Sequence, residues 1–227
     1  MRRVGWADWV RGVEIEPSLY AADLARLAEE VERTLDAGVR VFHFDIGDGH
    51  FVEPVTMGPI VVEAIAPLIH RGGAVLDCHL MVDNPERHIP QIASAGGDSV
   101  TVHVELGRTA ALIAQARAHG LGAGVAFNPG TPVAEAAGAA EGADLVLCMS
   151  IWPGYSGQAF MPEALDRVRE LRALLPEGVH VQVDGGVGTE NVRALRDAGA
   201  SLLVAGSAVF GADDAGAAYR TLADLVA

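Results

Sequence analysis

DLARLAEEVERTLDAGVRVFHFDI, residues 23–46, joins a helical pattern to a strand pattern across one glycine. The first part repeats apolar residues with helical spacing and predicts one apolar face, formed by Leu24, Leu27, Val31 and Leu35. Gly38 follows, as glycine often does at the end of a helix. Residues 39–46 are a short apolar run typical of a buried strand. The stretch therefore predicts one helix followed by one strand.

The same pairing recurs along the whole chain. Short runs rich in Val, Ile and Leu alternate with longer helical segments, and they lie at about 13–19, 39–46, 74–80, 98–104, 121–127, 143–150, 179–184 and 201–206. Strict alternation predicts parallel strands joined by right-handed crossovers. Eight such units in 227 residues fit a closed (β/α)₈ TIM barrel better than an open sheet. A doubly wound sheet is the alternative, but its glycine fingerprint is missing from EPSLYAAD after the first strand.

Composition predicts one globular domain. Hydrophobic residues make up 50% of the chain and charged residues 20%, which suits a buried core. We expect residues 1–227 to form a single barrel, with residues 1–12 as a short N-terminal extension whose Trp6 and Trp9 pack on it. The formal net charge of −14 argues against nucleic acid as a partner. Because the chain contains no lysine, Schiff-base, Walker-type and catalytic-lysine mechanisms are excluded.

The location of the protein is expected to be cytoplasmic. MRRVGWADWVRG at the N-terminus lacks the apolar run of a secretory signal. No stretch approaches 18 uninterrupted apolar residues, so we expect no membrane association through a spanning helix. Cys78 and Cys148 each lie inside an apolar run, which favours buried thiols over a disulfide.

Polar residues at the ends of the predicted strands are the candidates for chemistry, because barrel active sites lie there. In the second run His43 and Asp45 are two residues apart, so both point to the same face. The third run adds His79, and the seventh ends in Asp184. Two imidazoles and two carboxylates suit zinc, iron, manganese or cobalt, although their spacing alone leaves the presence of a metal open.

Other polar or glycine-rich positions are less decisive. His103 and Glu105 share a face of the fourth strand and either line the pocket or form a structural hydrogen bond. Glycines follow the last three runs, in WPGYSGQAF, DGGVGTEN and VAGSAVFG. Backbone N–H groups in such loops can approach an anion, and barrels often build a phosphate site after strands seven and eight. Tight turns alone would also explain glycine in any one loop.

Eight stretches resemble the ribulose-phosphate 3-epimerases, in order, from about residue 13 to 211. They are EPSLYAADLARL, VFHFDIGDGHFVEPVTMGP, LDCHLMVDNPERHI, SVTVHVE, AFNPGTP, LVLCMSIWPGYSGQAF, VDGGVGTENVRALRDAGA and LVAGSAVFG. That family consists of barrels that interconvert D-ribulose 5-phosphate and D-xylulose 5-phosphate with a divalent metal. The resemblance implies an isomerase of the pentose phosphate pathway that acts on a small sugar phosphate. It also implies one divalent ion, Zn²⁺, Fe²⁺, Mn²⁺ or Co²⁺, and a homo-oligomer.

The resemblance also implies roles for individual residues. The metal ligands would be His43, Asp45, His79 and Asp184, and Asp45 and Asp184 would also be the two acid/base groups that act through an enediolate. The substrate-binding residues would be Ser18, His79, Met81, Met149, Gly154, Tyr155, Ser156, Gly157, Gly185, Gly186, Gly206 and Ser207. On an eight-strand ring the second and seventh strands are three places apart in one direction, so the two aspartates can face each other across the mouth.

Departures from the family pattern surround the substrate and leave the sugar open. Gly47 stands where methionine is usual, Trp152 replaces a small polar residue, and Ser156 replaces a glycine. D-Allulose-6-phosphate 3-epimerase is therefore an alternative, as is a non-catalytic phosphate-binding barrel. A related decarboxylase class is disfavoured, because its Asp-x-Lys-x-x-Asp motif has no lysine to match beside Asp77.

Overall fold

The computed structural model of the protein describes residues 5–227, so residues 1–4 of the expected extension lie outside the described residues. Within that range eight strands alternate with helices. The strands are β1 (Glu14–Pro17), β2 (Val41–Gly47), β3 (Val75–Met81), β4 (Ser99–His103), β5 (Gly122–Phe127), β6 (Leu145–Met149), β7 (His180–Asp184) and β8 (Leu202–Ala205). Each strand lies within two residues of a predicted run.

The helices cover the outside of the sheet. They are α1 (Trp6–Trp9), α2 (Leu27–Asp36), α3 (Pro59–Arg71), α4 (Pro85–Ala95), α5 (Thr109–Ala118), α6 (Val133–Ala139), α7 (Ala164–Leu174), α8 (Val192–Ala198), α9 (Ser207–Phe210) and α10 (Ala215–Val226). None of these described helices has the length and apolar character needed to cross a bilayer.

The strands form a closed ring of parallel neighbours. Their order is β1-β8-β7-β6-β5-β4-β3-β2, and every adjacent pair in that order is parallel. A parallel bridge between Ser18, just after β1, and His43 in β2 joins the two ends of the order. The predicted (β/α)₈ TIM barrel is confirmed.

Alternation along the strands divides the buried residues into two layers. Phe42 and Phe44 pack with the helices in the large outer core, whereas the alternate residues His43 and Asp45 point into the barrel. Cys148 likewise belongs to the outer core, and it and Cys78 are both buried free thiols. The period of two in a strand therefore supplies an apolar outer layer and a distinct interior.

An apolar cluster fills one end of the barrel interior. Trp6 of α1 is only 3% exposed and packs with Val41, Leu145 and Leu202. These three are the first residues of β2, β6 and β8, so the cluster lies at the N-terminal end of the strands. The opposite, C-terminal end is left for polar side chains.

The predicted helical face holds for Val31, which is fully buried, but is wrong for Leu24, which is 53% exposed. The Asp23 carboxylate accepts a hydrogen bond from the backbone N–H of Ala25 and caps a short 3₁₀ turn, Leu24–Arg26. The α-helix begins only at Leu27. A side-chain cap therefore separates Leu24 from the helix whose spacing it shares.

Candidate active site

Neighbouring strands β2 and β3 bring the first four polar groups together. Their register pairs Asp45 with His79 and His43 with Asp77, and alternation turns all four side chains inward. Both imidazoles are fully buried, and Asp45 is 5% exposed. The site therefore begins as a compact block of histidine and aspartate on two adjacent strands.

Asp45 lies at the centre of this block. Its Oδ2 accepts a hydrogen bond of 2.7 Å from the Ser18 hydroxyl, and its Oδ1 lies 3.1 Å from His79 Nδ1 and 3.3 Å from His43 Nε2. Burial opposes ionisation, but the two imidazoles outweigh it and hold the pKa of Asp45 well below its usual value. Asp45 is therefore the ionised carboxylate of the site.

Asp184 has the opposite electrostatic character. It ends β7, and its Oδ2 lies 3.9 Å from His79 Nδ1. Burial, and then repulsion by Asp45, raise the pKa of Asp184 to about 7. Two carboxylates whose environments separate their pKa values are suited to act as one base and one acid.

The donor set fits a divalent cation. One nitrogen or oxygen each from His43, Asp45, His79 and Asp184 lie within 4.8 Å of one another. His43 Nε2 is buried, makes no well-formed hydrogen bond and lies 3.3 Å from the Asp45 carboxylate, so it can engage a cation held beside that carboxylate. Imidazole nitrogen and carboxylate oxygen are the ligands expected of zinc, iron, manganese or cobalt.

A second polar layer lies beneath this set. His43 Nδ1 is 3.4 Å from Asp77 Oδ2 and 3.8 Å from Glu16 Oε2. The Gln182 amide donates to both carboxylates, at 2.9 Å to Asp77 and 2.5 Å to Glu16. Burial raises the pKa of Glu16 to about 7. His43 is thus held between carboxylates on both of its edges.

His79 has a partner on its far side as well. Its Nε2 lies 2.8 Å from His103 Nε2, and His103 Nδ1 lies 3.0 Å from Glu105 Oε2. Burial lowers the pKa of His103 to about 4, despite the nearby Glu105 carboxylate. Of the two readings for this pair, the structure supports the hydrogen bond, since neither residue lines the cavity.

A cavity that is open to solvent lies above the block. Its wall combines carboxylates, two methionines and glycine-rich loops. The lining residues are Ser18, Tyr20, Asp45, Met81, Met149, Ile151, Pro153, Gly154, Tyr155, Ser156, Gly157, Asp184, Gly185, Gly186, Val187, Val204, Gly206 and Ser207. None of these is a lysine or arginine, so fixed positive charge in this wall must come from backbone dipoles or a bound ion.

Glycine is required at one end of the cavity. Gly185 and Gly186 have φ angles of 121° and 63°, which side chains rarely adopt. A Cβ at Gly186 would also lie 2.7 Å from the backbone nitrogen of Phe160. Beside them, Ser207 begins α9. Close loops and a helix N-terminus present backbone N–H groups to an anion.

Two departures from the family pattern have structural explanations. A Cβ at Gly47 would lie 2.8 Å from the carbonyl oxygen of Pro54 and 2.9 Å from Val52 Cγ2, so the loop after β2 fills the space of a side chain there. Trp152 is 56% exposed, and its ring lies against Gly130 in the loop after β5. It does not line the cavity, so it does not narrow it.

The comparisons with known proteins agree with this geometry. The sequence profile of the ribulose-phosphate 3 epimerase family matches residues 14–210. The chain belongs to this family. Ribulose-phosphate 3-epimerase 2 of Cupriavidus necator is 42% identical, over 92% of this chain and 89% of that protein. The Bacillus subtilis ribulose-phosphate 3-epimerase is 40% identical, over 89% of this chain and 94% of that protein.

Solved structures show how widely the barrel is used. KGPDC from Streptococcus mutans superposes with a TM-score of 0.72 at 16% identity, covering 95% of this chain and 98% of that one. A 3-hexulose-6-phosphate synthase gives 0.70 at 22% identity, covering 95% and 100%. At this identity the likeness concerns the fold alone. Family membership confirms the expected isomerase acting on carbohydrates.

The positions that resemble the epimerase family converge at this one end of the barrel. Every metal-binding, acid/base and substrate-binding residue expected from the resemblance lines the cavity except His43 and His79, which lie beneath it and contact Asp45. Sequence reasoning missed the polar residues of the second layer, Glu16, Asp77 and Gln182. Each precedes a predicted site residue by two positions on its strand, so the alternation that pointed to His43 and Asp45 could have found them.

Proposed function

We propose that this member of the family is a metal-dependent 3-epimerase that interconverts D-ribulose 5-phosphate and D-xylulose 5-phosphate. The observation that carries the proposal is the pair Asp45 and Asp184. They stand at the ends of β2 and β7, line one cavity, and have pKa values displaced in opposite directions. Epimerisation beside a ketone needs two proton-transfer groups on opposite faces of a planar enediolate.

In this mechanism the two aspartates divide the proton transfers. Asp45, whose pKa is lowered, is ionised and accepts the C3 proton of one epimer. Asp184, in its protonated form, delivers a proton to the opposite face. In the reverse direction the roles exchange. Positioned acid/base groups each contribute roughly 10²- to 10⁴-fold, so each aspartate should be essential to turnover.

The residues that would hold the metal are His43, Asp45, His79 and Asp184, in keeping with their clustered nitrogen and oxygen atoms. A divalent ion there would supply Lewis-acid charge toward the substrate oxygens. Ser18 orients Asp45 through the 2.7 Å hydrogen bond to Oδ2. The described wall of the cavity contains no lysine or arginine. A cation bound by this cluster would therefore supply the positive charge that stabilises the enediolate oxygens.

The glycine-rich end of the cavity is the proposed phosphate site. The N–H groups of the loops at Gly154–157, 185–186 and 206–207 are available to an anion, and the N-terminus of α9 favours negative charge. Met81 and Met149 also line the cavity. Their apolar side chains would flank the reacting carbons and limit access of water.

The direct test is a panel of ketose phosphates in deuterated water, with exchange at C3 followed by NMR. We expect exchange and epimerisation of the pentulose 5-phosphates. A clear preference for D-allulose 6-phosphate would reassign the sugar and keep the reaction. Absence of exchange with every pentulose and hexulose phosphate would overturn the epimerase proposal.

Metal analysis separates the enzyme from a non-catalytic phosphate-binding barrel. A stoichiometric divalent ion that is lost in His79→Ala supports the enzyme. Wild-type protein that binds no divalent ion under any condition supports the binding protein. The cytoplasmic location and the homo-oligomer stay predictions.

A further inference from the structure

The geometry points to His103 and Glu105 as positioning residues that present Nδ1 of His79 to the metal. This inference rests on the ligand set proposed above and concerns how one ligand is oriented. It assigns a task to the buried His103 and the partly exposed Glu105, neither of which lines the cavity. The elements involved are β3, β4 and the turn after β4.

The chain of contacts starts at a carboxylate. Glu105 Oε2 lies 3.0 Å from His103 Nδ1, and an ionised carboxylate only accepts hydrogen bonds. The proton of neutral His103 is therefore on Nδ1, which leaves a lone pair on its Nε2. That Nε2 lies 2.8 Å from Nε2 of His79. His79 must then donate from Nε2, which leaves Nδ1 as the ring nitrogen that can coordinate an ion.

The direction of Nδ1 matches the proposed site. His79 Nδ1 lies 3.1 Å from Asp45 Oδ1 and 3.9 Å from Asp184 Oδ2. The opposite tautomer would place a proton on Nδ1, where a metal ligand needs an electron pair. Glu105 acts on His103, and His103 in turn fixes the proton of His79 on Nε2.

The surroundings hold the two positioning residues in place. His103 is fully buried, and its ring centroid lies 5.0 Å from that of His79 and 4.7 Å from that of Phe51. The second oxygen of Glu105 accepts 2.7 Å from the Asn128 backbone N–H and 2.5 Å from the Thr131 hydroxyl. Glu105 is therefore anchored to the loop after β5 and its other oxygen is aimed at His103.

Thr131 gives a matched control. Thr131→Val removes a hydrogen bond to Glu105 Oε1 but leaves Oε2 facing His103. Glu105→Ala removes both the loop contact and the acceptor for His103. Comparison of the two variants separates loss of loop order from loss of the acceptor. Both positions are partly exposed, and thermal unfolding of each variant checks that the barrel is intact.

The first readout is zinc affinity of the full-length protein, measured by competition with a fluorescent chelator and without substrate. We expect Glu105→Ala to raise the zinc dissociation constant about 10- to 100-fold, the usual effect of removing an outer partner of a ligand. Thr131→Val should stay within about two-fold of wild type. Wild-type affinity in Glu105→Ala, or equal weakening in both variants, would overturn the inference.

The second readout is the tautomer itself, from ¹⁵N-edited NMR of the histidine rings in the zinc-loaded protein. The expected result is a protonated Nδ1 in His103 and a protonated Nε2 in His79. The reverse pattern would overturn the inference, whatever the zinc titration shows. Because neither measurement uses turnover, a failure of the epimerase proposal in the C3-exchange assay remains distinguishable from a failure here.

Discussion

Asp184→Asn is expected to abolish epimerisation while making the metal-free protein more stable above neutral pH. The pKa of Asp184 is raised from 3.8 to about 7 by burial and by Asp45. At about 1.4 kcal/mol per pKa unit, ionising this side chain in the fold costs on the order of 4 kcal/mol. The side chain is 16% exposed, so solvent screening makes that figure an upper bound.

The sign of the effect follows from linkage. A carboxylate with a raised folded pKa contributes stability at low pH, and that contribution is lost as pH rises from about 4 through 7. Asparagine has the same shape and no charge at any pH, so the variant does not lose stability through this side chain as pH rises. The stability difference between variant and wild type should therefore grow from pH 5 to pH 8.

Two assays decide the outcome. Urea unfolding in the presence of a chelator, at pH 5 and pH 8, measures the stability difference. Turnover of the zinc-loaded variant should fall at least about 100-fold. Exchange at C3 should persist for only one of the two epimers, because Asp45 still serves one face.

Asp45→Asn is the matched comparison, since it also abolishes turnover but removes the charge that its histidine neighbours stabilise. It should destabilise the metal-free protein. The reasoning fails if Asp184→Asn keeps near-full activity, or if it is less stable than wild type at pH 8 in chelator.

Three further predictions follow from the same structure. Gly47→Met should cost about 1–3 kcal/mol in urea unfolding, because the loop after β2 occupies the space of its side chain; unchanged stability would show that this loop yields freely. Trp152→Ala should leave kcat/KM within about two-fold in the epimerase assay, and a ten-fold loss would place its ring at the substrate. Because the pKa of Glu16 and of Asp184 is raised to about 7, the melting temperature in chelator should fall from pH 5 to pH 8. A rise instead would contradict those shifts.

The fold could be predicted from local pattern because a parallel barrel is a repetition of one unit. Each strand and each helix can be predicted from the pattern of its own residues, and their order along the chain then determines the topology. The exception, Leu24, shows the limit of periodicity. Spacing placed it on a helical face, but the neighbouring Asp23 caps a separate turn, and capping competes with helix extension over that distance.

The site was predictable where two groups share one strand, as His43 and Asp45 do. Contacts between strands were less accessible to sequence reasoning. His79 and His103 belong to β3 and β4, and their 2.8 Å contact depends on register and ring orientation that no local pattern encodes. The direction of Trp152 likewise depends on the loop after β5, far away in sequence.

The closure of the barrel has a consequence for its motions. Among residues 5–227, β1 and β2 are joined by the bridge between Ser18 and His43, whereas the other neighbours share ladders of three or more residues. Ser18 also donates to Asp45. Transient opening of the β1–β2 junction would therefore displace His43 and Asp45, two of the proposed ligands, at the same time. Binding of a metal ion should therefore slow amide hydrogen exchange at the β1–β2 junction more than elsewhere, because the ion would stabilise the closed barrel.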